Sequence, residues 1–410
     1  MLERTQPIVV ALANSAPSRS GGVGHGQASR GNGPVPNGQA HVAGAYAALD
    51  LGTNNCRLLV GTPDANGFRV IDSFSRIVRL GEGLHETGRL SDAAIERAMM
   101  ALHACAARLG RRQMRVVRAI ATEACRRAGN GAAFLARVKA ETGIAFDIIS
   151  PREEAELALE SCASLLGGDV GQTVLDSNGS SDRASSRALL FDIGGGSTEL
   201  GWVRMDKANA PHLVGYASLP LGVVTLADQF GAAGFTEAGF EAMVTEVAGR
   251  LAAFEAVHCI AQEIRSGGVH LLGTSGTVTT LAGIALGLAR YRRQLVDGQV
   301  LSGEAAIAAM NALRAMGREG LSRHPCVGPE RVNFVLPGCA VFAAIIRLWP
   351  ASRVVVADRG LREGMLLRMI RADRGRARPR RGWDGQEGGR AVDARVADDQ
   401  VAGGEGLLPA

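Results

Sequence analysis

The sequence predicts an α/β fold built from two similar halves. β-rich runs alternate with helical patterning through the body of the chain. One strand–glycine turn–strand motif also occurs twice. The first copy is Ala48-Leu49-Asp50-Leu51-Gly52-Thr53-Asn54-Asn55-Cys56-Arg57-Leu58, and the second is Leu190-Phe191-Asp192-Ile193-Gly194-Gly195-Gly196-Ser197-Thr198-Glu199-Leu200. Each ends an apolar strand in Asp, places Gly two residues on, and continues through hydroxyl or amide side chains into a second strand.

Taken in order, residues 1–43 are rich in Gly, Ser, Pro, Asn and Gln without apolar periodicity, and read as a disordered extension. Ala47–Asp50 and Cys56–Val60 are the first strand pair. Val116–Ala121 is a third strand, followed by a helix through Phe134–Glu141, a short strand Phe146–Ile149 and a helix Arg152–Leu166. Residues 167–186 lack patterning and read as a flexible insertion separating a first domain, 44–166, from a second, 187–372. The second opens with strands Leu189–Asp192 and Leu200–Val203. Helices at Phe240–Cys259 and Glu304–Met316 and short strands at Val269–Leu272 and Val354–Val356 follow. Residues 373–410 start with an Arg cluster, turn Gly-rich and read as a disordered tail.

Composition narrows the function. No run approaches the ~18 apolar residues of a membrane span. Seven scattered Cys without a CxxC pair argue for reduced thiols in the cytoplasm and against a zinc site. All but two of the 45 basic residues are Arg, giving a net charge of +5. That balance suits a polyanionic partner, although genome base composition also explains an Arg bias.

The glycine turns carry the chemistry. Gly permits positive φ and close approach, so backbone N–H groups can be aimed at phosphate oxygens. Gly52, Thr53 and Asn54 in the first turn, and Gly194, Gly195, Gly196, Ser197 and Thr198 in the second, are candidate phosphate ligands. An isolated turn of this kind is equally an ordinary hairpin; its duplication is the stronger signal. A third turn, Gly273-Thr274-Ser275-Gly276-Thr277, opens a helix whose free N–H groups favour an anion, which adds Ser275 and Gly276. A fourth is Asp358-Arg359-Gly360-Leu361-Arg362. Asp50, Asp192 and Glu199 are oxygen donors suited to a hard cation. In Ser150-Pro151-Arg152-Glu153-Glu154, Ser150 is an N-cap, Pro151 fits N1 and Glu153 completes a capping box. Glu154 is not needed for capping; the residues alone leave it as a surface carboxylate or a catalytic one.

The pieces ALDLGTNNCRLLV, RIVRLGEGL, LSDAAIERAM, ATEACRRAGN, IISPREEAELAL, LLFDIGGGSTEL, LGTSGTVTTLAG and ADRGLREGM, in this order over about 45–370, resemble the exopolyphosphatase and guanosine pentaphosphate phosphatase family. The resemblance implies two ribonuclease H-like domains of the actin, Hsp70 and sugar kinase superfamily with an active site between them. It implies a short form without the further helical domain that carries His-Asp motifs. Glu154 would be the catalytic carboxylate, although Pro151 stands where relatives usually have Gly. Arg126, at the Arg of the TxxxR motif, would neutralise charge on the phosphoryl group. Mg²⁺ or Mn²⁺ would be the cofactor, held by Asp192 and Glu199 with Asp50 as a third donor. Arg79 and Arg362 would contact the substrate further along, or make structural ion pairs. The implied substrate is inorganic polyphosphate; the alternatives are guanosine pentaphosphate, a phosphotransferase reaction, or a sensor that binds without catalysis. A cytoplasmic homodimer with no membrane and no specific nucleic-acid partner is expected.

Overall fold

The structure, a computed structural model, describes residues 44–166 and 187–377 apart from Asn66, Asn209 and Gly268. The expected N-terminal extension, the insertion 167–186 and the tail beyond 377 lie outside the described residues.

The first half holds β1 (Ala45–Leu51), β2 (Asn55–Asp64), β3 (Gly67–Ile77), α1 (Leu84–Thr87), α2 (Asp92–Leu109), β4 (Met114–Ala121), α3 (Glu123–Arg127), α4 (Gly131–Thr142), β5 (Asp147–Ile148) and α5 (Pro151–Leu166). The second holds β6 (Arg187–Ile193), β7 (Thr198–Met205), β8 (Pro211–Leu219), α6 (Val223–Phe230), α7 (Glu237–His258), α8 (Ile260–Arg265), β9 (Val269–Thr274), α9 (Ser275–Ala285) and α10 (Arg293–Val296). It continues with β10 (Val300–Ser302), α11 (Gly303–Ala315), α12 (Gly317–Arg323), α13 (Val332–Leu348), β11 (Arg353–Ala357) and α14 (Leu361–Ala377).

The two sheets repeat one plan. The first runs β3-β2-β1-β4-β5, and the second β8-β7-β6-β9-β11 with β10 added at the edge. In each, the first three strands are antiparallel and the central strand pairs in parallel with the next. This is the expected pair of ribonuclease H-like sheets.

Strand alternation decides where the central side chains go. Ala47, Leu49 and Leu51 pack into the core of the first half, and Leu189, Phe191 and Ile193 into that of the second. Their alternates, Tyr46 and Ala48, and Ala188 and Leu190, meet in a third apolar cluster shared by both sheets and by α5 and α14. Asp50 and Asp192 continue that inward-facing series at the ends of β1 and β6. Two strands whose buried faces converge therefore deliver two carboxylates to one place.

α14 packs on α5 and β1, returning the end of the folded body to the first half. The boundary expected at 372 falls too early. The helix continues to Ala377, and Asp373 pairs with Arg115 and accepts from the Tyr46 hydroxyl. A polar, Arg-rich sequence hid this, because that turn is held by ion pairs and not by an apolar stripe. α13 with its preceding turn, Pro329–Leu348, is 20 residues long and holds an 18-residue window of mean hydropathy 1.6. It is long and apolar enough to cross a membrane, yet two-thirds of that window is buried here, mostly in the core of the second half.

The α5–α14 crossing depends on Gly364. A Cβ there would sit 2.1 Å from the Leu157 carbonyl oxygen, which is backbone and cannot swing aside. Gly364→Ala is expected to destabilise by about 1–3 kcal/mol through overpacking, despite its better helix propensity. Denaturant unfolding checks this; an unchanged or higher midpoint would contradict the packing account.

Candidate active site

Four loops converge on one cleft of about 710 Å³. It is lined by Gly52–Asn55, Gly194–Ser197, Ser275–Thr277 and Asp358–Arg362, with Glu154 from α5 and Asp50 and Asp192 from the central strands. This volume is in the range of small-molecule sites.

The duplicated turns touch each other. A Cβ on Gly196 would approach Thr53 Oγ1 to 2.5 Å, and one on Gly195 would meet Asn54 N at 3.2 Å. Behind the second turn, the Gly194 and Gly195 carbonyls accept from the Val223 and Val224 N–H groups at 3.0 and 2.8 Å. No peptide is cis. In a planar trans peptide the N–H opposes the C=O, so the Gly195 and Gly196 N–H groups point away from α6, toward the cleft. The first turn works alike: the Thr53 carbonyl accepts from Gly81 N–H at 2.9 Å, which turns the Asn54 N–H the other way. The first turn of α9 adds its free N–H groups. Ser275 there has φ 81°, a strained backbone for a residue with a Cβ, and its hydroxyl donates to Ile193 O at 2.8 Å.

Several expected side-chain roles change. The Thr198 hydroxyl donates to Leu221 O at 2.8 Å; Thr198 is fully buried and does not line the cleft. It holds the turn and does not contact phosphate. The Ser197 hydroxyl donates to Glu199 Oε1 at 2.5 Å, so it orients a carboxylate. Arg126 is also displaced from its expected role. Its Nη2 donates to Glu123 Oε2 at 2.5 Å, and its Nη1 donates to Ile149 O at 2.8 Å and pairs with Glu154 Oε2 at 3.4 Å. It is absent from the cleft lining, and its guanidinium bonds run to Glu123, Ile149 and Glu154.

The capping box before Glu154 is half formed. Ser150 Oγ accepts from Glu153 N–H at 3.2 Å, but the Glu153 carboxylate turns to Arg118 and Arg368 and makes no reciprocal bond. An ion pair across to β4 outcompeted the cap. Glu154, one residue on and about 100° further round the helix, is buried in the cleft wall. Burial and the neighbouring Glu199 raise its pKa well above the usual carboxylate range, while Arg126 opposes the rise. A raised pKa makes the ionised carboxylate a stronger proton acceptor.

The register exposes a difference between the two halves. Asp50 lies directly across from Arg57 on β2, while Asp192 lies across from Glu199 on β7. Like charges directly opposite one another are destabilising. Burial pushes Asp192 up to about 6, and burial with Asp192 nearby raises Glu199. Asn54 Oδ1, also in the cleft, is buried and accepts no hydrogen bond from the described residues. Oxygen-only donors with surplus negative charge fit Mg²⁺ or Mn²⁺. Among the described residues no three His, Cys, Asp or Glu are placed to ligate one ion, so the three-carboxylate set with Asp50 does not form. One or two carboxylates supplemented by water and substrate oxygens is the usual Mg²⁺ arrangement.

Arg57, Arg331 and Tyr291 line the cleft and were not singled out from the sequence. The signal for Arg57 was available: superposing the two motif copies sets it on Glu199. Arg331 is held by the Val327 and Cys326 carbonyls, with Nη1 3.8 Å from the Cβ position of Gly276. Tyr291 donates to Asp358 Oδ2 at 2.5 Å. Both sit on stretches without periodicity. Arg362 also lines the cleft.

Residues 59–372 match the Ppx/GppA phosphatase family. The chain is 29% identical over 333 residues to a guanosine-5′-triphosphate,3′-diphosphate pyrophosphatase of Aeromonas hydrophila subsp. hydrophila, covering 80% of this chain and 60% of that protein. It thus spans about 60% of the length of that relative. The crystal structure of the Aquifex aeolicus Ppx/GppA family member matches with a TM-score of 0.62 at 27% identity, over 80% of this chain and 98% of that one. A crystallised exopolyphosphatase from Cytophaga hutchinsonii ATCC 33406 shares the fold, with a TM-score of 0.68 at 21% identity over 80% and 98% of the two chains. With two repeated sheets, a glycine-loop cleft between them and a match over most of the described body, the chain belongs to the Ppx/GppA phosphatase family.

Proposed function

We propose that this protein is a cytoplasmic exopolyphosphatase that hydrolyses the terminal phosphoanhydride of inorganic polyphosphate. The observation that carries this reading is the Glu154 carboxylate, buried in the wall of the cleft into which Gly195, Gly196 and Asn54 turn their N–H groups. Those N–H groups and the α9 N-terminus hold the oxygens of the terminal phosphoryl group. Arg57 and Arg331 neutralise charge along the chain. Glu154 takes a proton from a water; the water oxygen bonds to the terminal phosphorus as the bridging P–O bond breaks. Orthophosphate leaves, and the shortened chain carries the new terminal oxygen. Arg126 holds Glu154 in place. A magnesium ion held by Asp192 and Glu199 with water would withdraw charge from the phosphate oxygens.

A second reading, hydrolysis of guanosine pentaphosphate, draws support from the Aeromonas relative and from Tyr291 and Phe334 in the cleft wall, where a base can stack. Phosphate release from long polyphosphate, tripolyphosphate and guanosine pentaphosphate, measured side by side, tests the choice. Faster kcat/KM on polyphosphate supports the first reading; release from guanosine pentaphosphate alone overturns it. Asp192→Asn is expected to raise the Mg²⁺ concentration for half-maximal activity at least about ten-fold, with little loss of stability. Activity in excess chelator, after metal removal is verified, would count against any metal role.

A further inference from the structure

A second buried carboxylate stands close to Glu154, and the reaction above makes no use of it. Glu123 begins α3 and is as deeply buried as Glu154, each side chain being 10% exposed. It does not line the cleft. A buried carboxylate is costly unless it is paired, and this one is met by two arginines. Arg126 Nη2 lies 2.5 Å from Oε2, and Arg127 Nε lies 3.7 Å from Oε1.

Arg126 is shared unequally between the two carboxylates. Its bond to Glu123, at 2.5 Å, is a short charge-assisted one; its contact with Glu154 Oε2, at 3.4 Å, is at the limit of hydrogen bonding. Nη1 also donates to Ile149 O at 2.8 Å, one residue before the Ser150 N-cap of α5. Two bonds therefore fix the guanidinium, and both are shorter than the one to Glu154. Glu199, Asp192 and Asp50 act on Glu154 with like charge, and Arg126 with opposite charge. Without the Glu123 carboxylate, the same guanidinium is free to turn fully to Glu154. A fork-to-fork pair would then occupy both oxygens that a water must reach.

We propose that Glu123 is a positioning residue for the hydrolysis: it clamps Arg126 by the tighter bond, so that the guanidinium steadies Glu154 without closing into a bidentate pair with it. This rests on Glu154 being the base, and it holds for polyphosphate and guanosine pentaphosphate alike. Glu123 acts through Arg126, two residues intervening on one face of α3.

The test is a double-mutant cycle in the full-length protein. It reads kcat and KM for phosphate release from long-chain polyphosphate and from guanosine pentaphosphate. Glu123→Gln keeps the size and one acceptor oxygen but not the charge. Its kcat is expected to fall on the order of ten-fold, the scale of coupling between contacting residues, with KM little changed. Glu123→Asp keeps the charge on a shorter arm and is expected to lie between the two. In an Arg126→Gln background, Glu123→Gln is expected to lower kcat no further. That cancellation separates the clamp from a folding role, whose cost would persist without Arg126, and thermal melting checks that each protein is folded. If Glu123→Gln does not fold, the same cycle is read with Glu123→Asp. Wild-type kcat in folded Glu123→Gln, an equal loss with and without Arg126, or a rise in KM alone overturns the clamp and leaves Glu154 as the base. Near wild-type kcat in Glu154→Gln, measured alongside, sinks the base and the clamp together.

Discussion

Glu154→Gln is expected to lower kcat by about 10²–10⁴-fold, the usual cost of losing a general base. The amide keeps the size of the side chain and its place on α5 but cannot take a proton from water. KM should stay level or fall, because a buried negative charge no longer opposes an anionic substrate. The neighbour supplies the control. Glu153 pairs with Arg118 and Arg368 and does not line the cleft. Glu153→Gln should therefore cost about 1 kcal/mol of stability or less, since these half-exposed pairs are modest contributors, and leave kcat near wild type. Arg126→Gln tests the positioning role. Arg126 touches Glu154 and not the cleft, so its loss should act on kcat far more than on KM. A rise in KM with kcat unchanged would return Arg126 to a direct phosphate contact.

Gly222→Ala should be nearly as damaging, for a reason unrelated to proton transfer. Gly222 precedes α6, and a Cβ there would lie 2.5 Å from the Gly195 carbonyl carbon and oxygen and 2.6 Å from the Gly194 oxygen. All three are backbone atoms of the phosphate turn. Either α6 withdraws or the turn is pushed into the cleft, and the Val223 and Val224 hydrogen bonds that aim the Gly195 and Gly196 N–H groups are lost in both cases. Misplacing oxyanion-type donors costs on the order of 10²–10³-fold in rate. The backbone at Gly222 is extended, φ −134°, so conformational strain plays no part. Kinetics with circular dichroism check this. Wild-type kcat in a folded Gly222→Ala protein would contradict the aimed-donor account.

The sequence disclosed the parts of the fold whose signal is local. β1 and β6 stand out because an apolar run ends at Asp-x-Gly, and the repetition of that pattern exposed the duplication. β3 and β8, the outer strands of the two hairpins, escaped notice; their side chains are mostly half-buried or exposed, so apolar alternation is weak. α13 is buried along Leu336–Ile346 and carries Pro337, so it lacks a polar face there and holds a residue that usually ends a helix. Within the site, residue type was legible and orientation was not. Arg126, Ser197 and Thr198 have suitable chemistry, but each is committed to a neighbour that only the folded register brings close. Arg331 and Tyr291 reach the cleft from segments distant in sequence, a placement that no spacing rule encodes.

In the proposed reaction water attacks the terminal phosphorus with assistance from Glu154. Hydrolysis of polyphosphate in oxygen-18 water, with mass analysis of both products, tests it most directly. One oxygen-18 atom is expected in each released orthophosphate and none in the shortened chain, with labelled release about 10²–10⁴-fold slower in Glu154→Gln. Label in the shortened chain, or release that persists at the wild-type rate in Glu154→Gln, would contradict it.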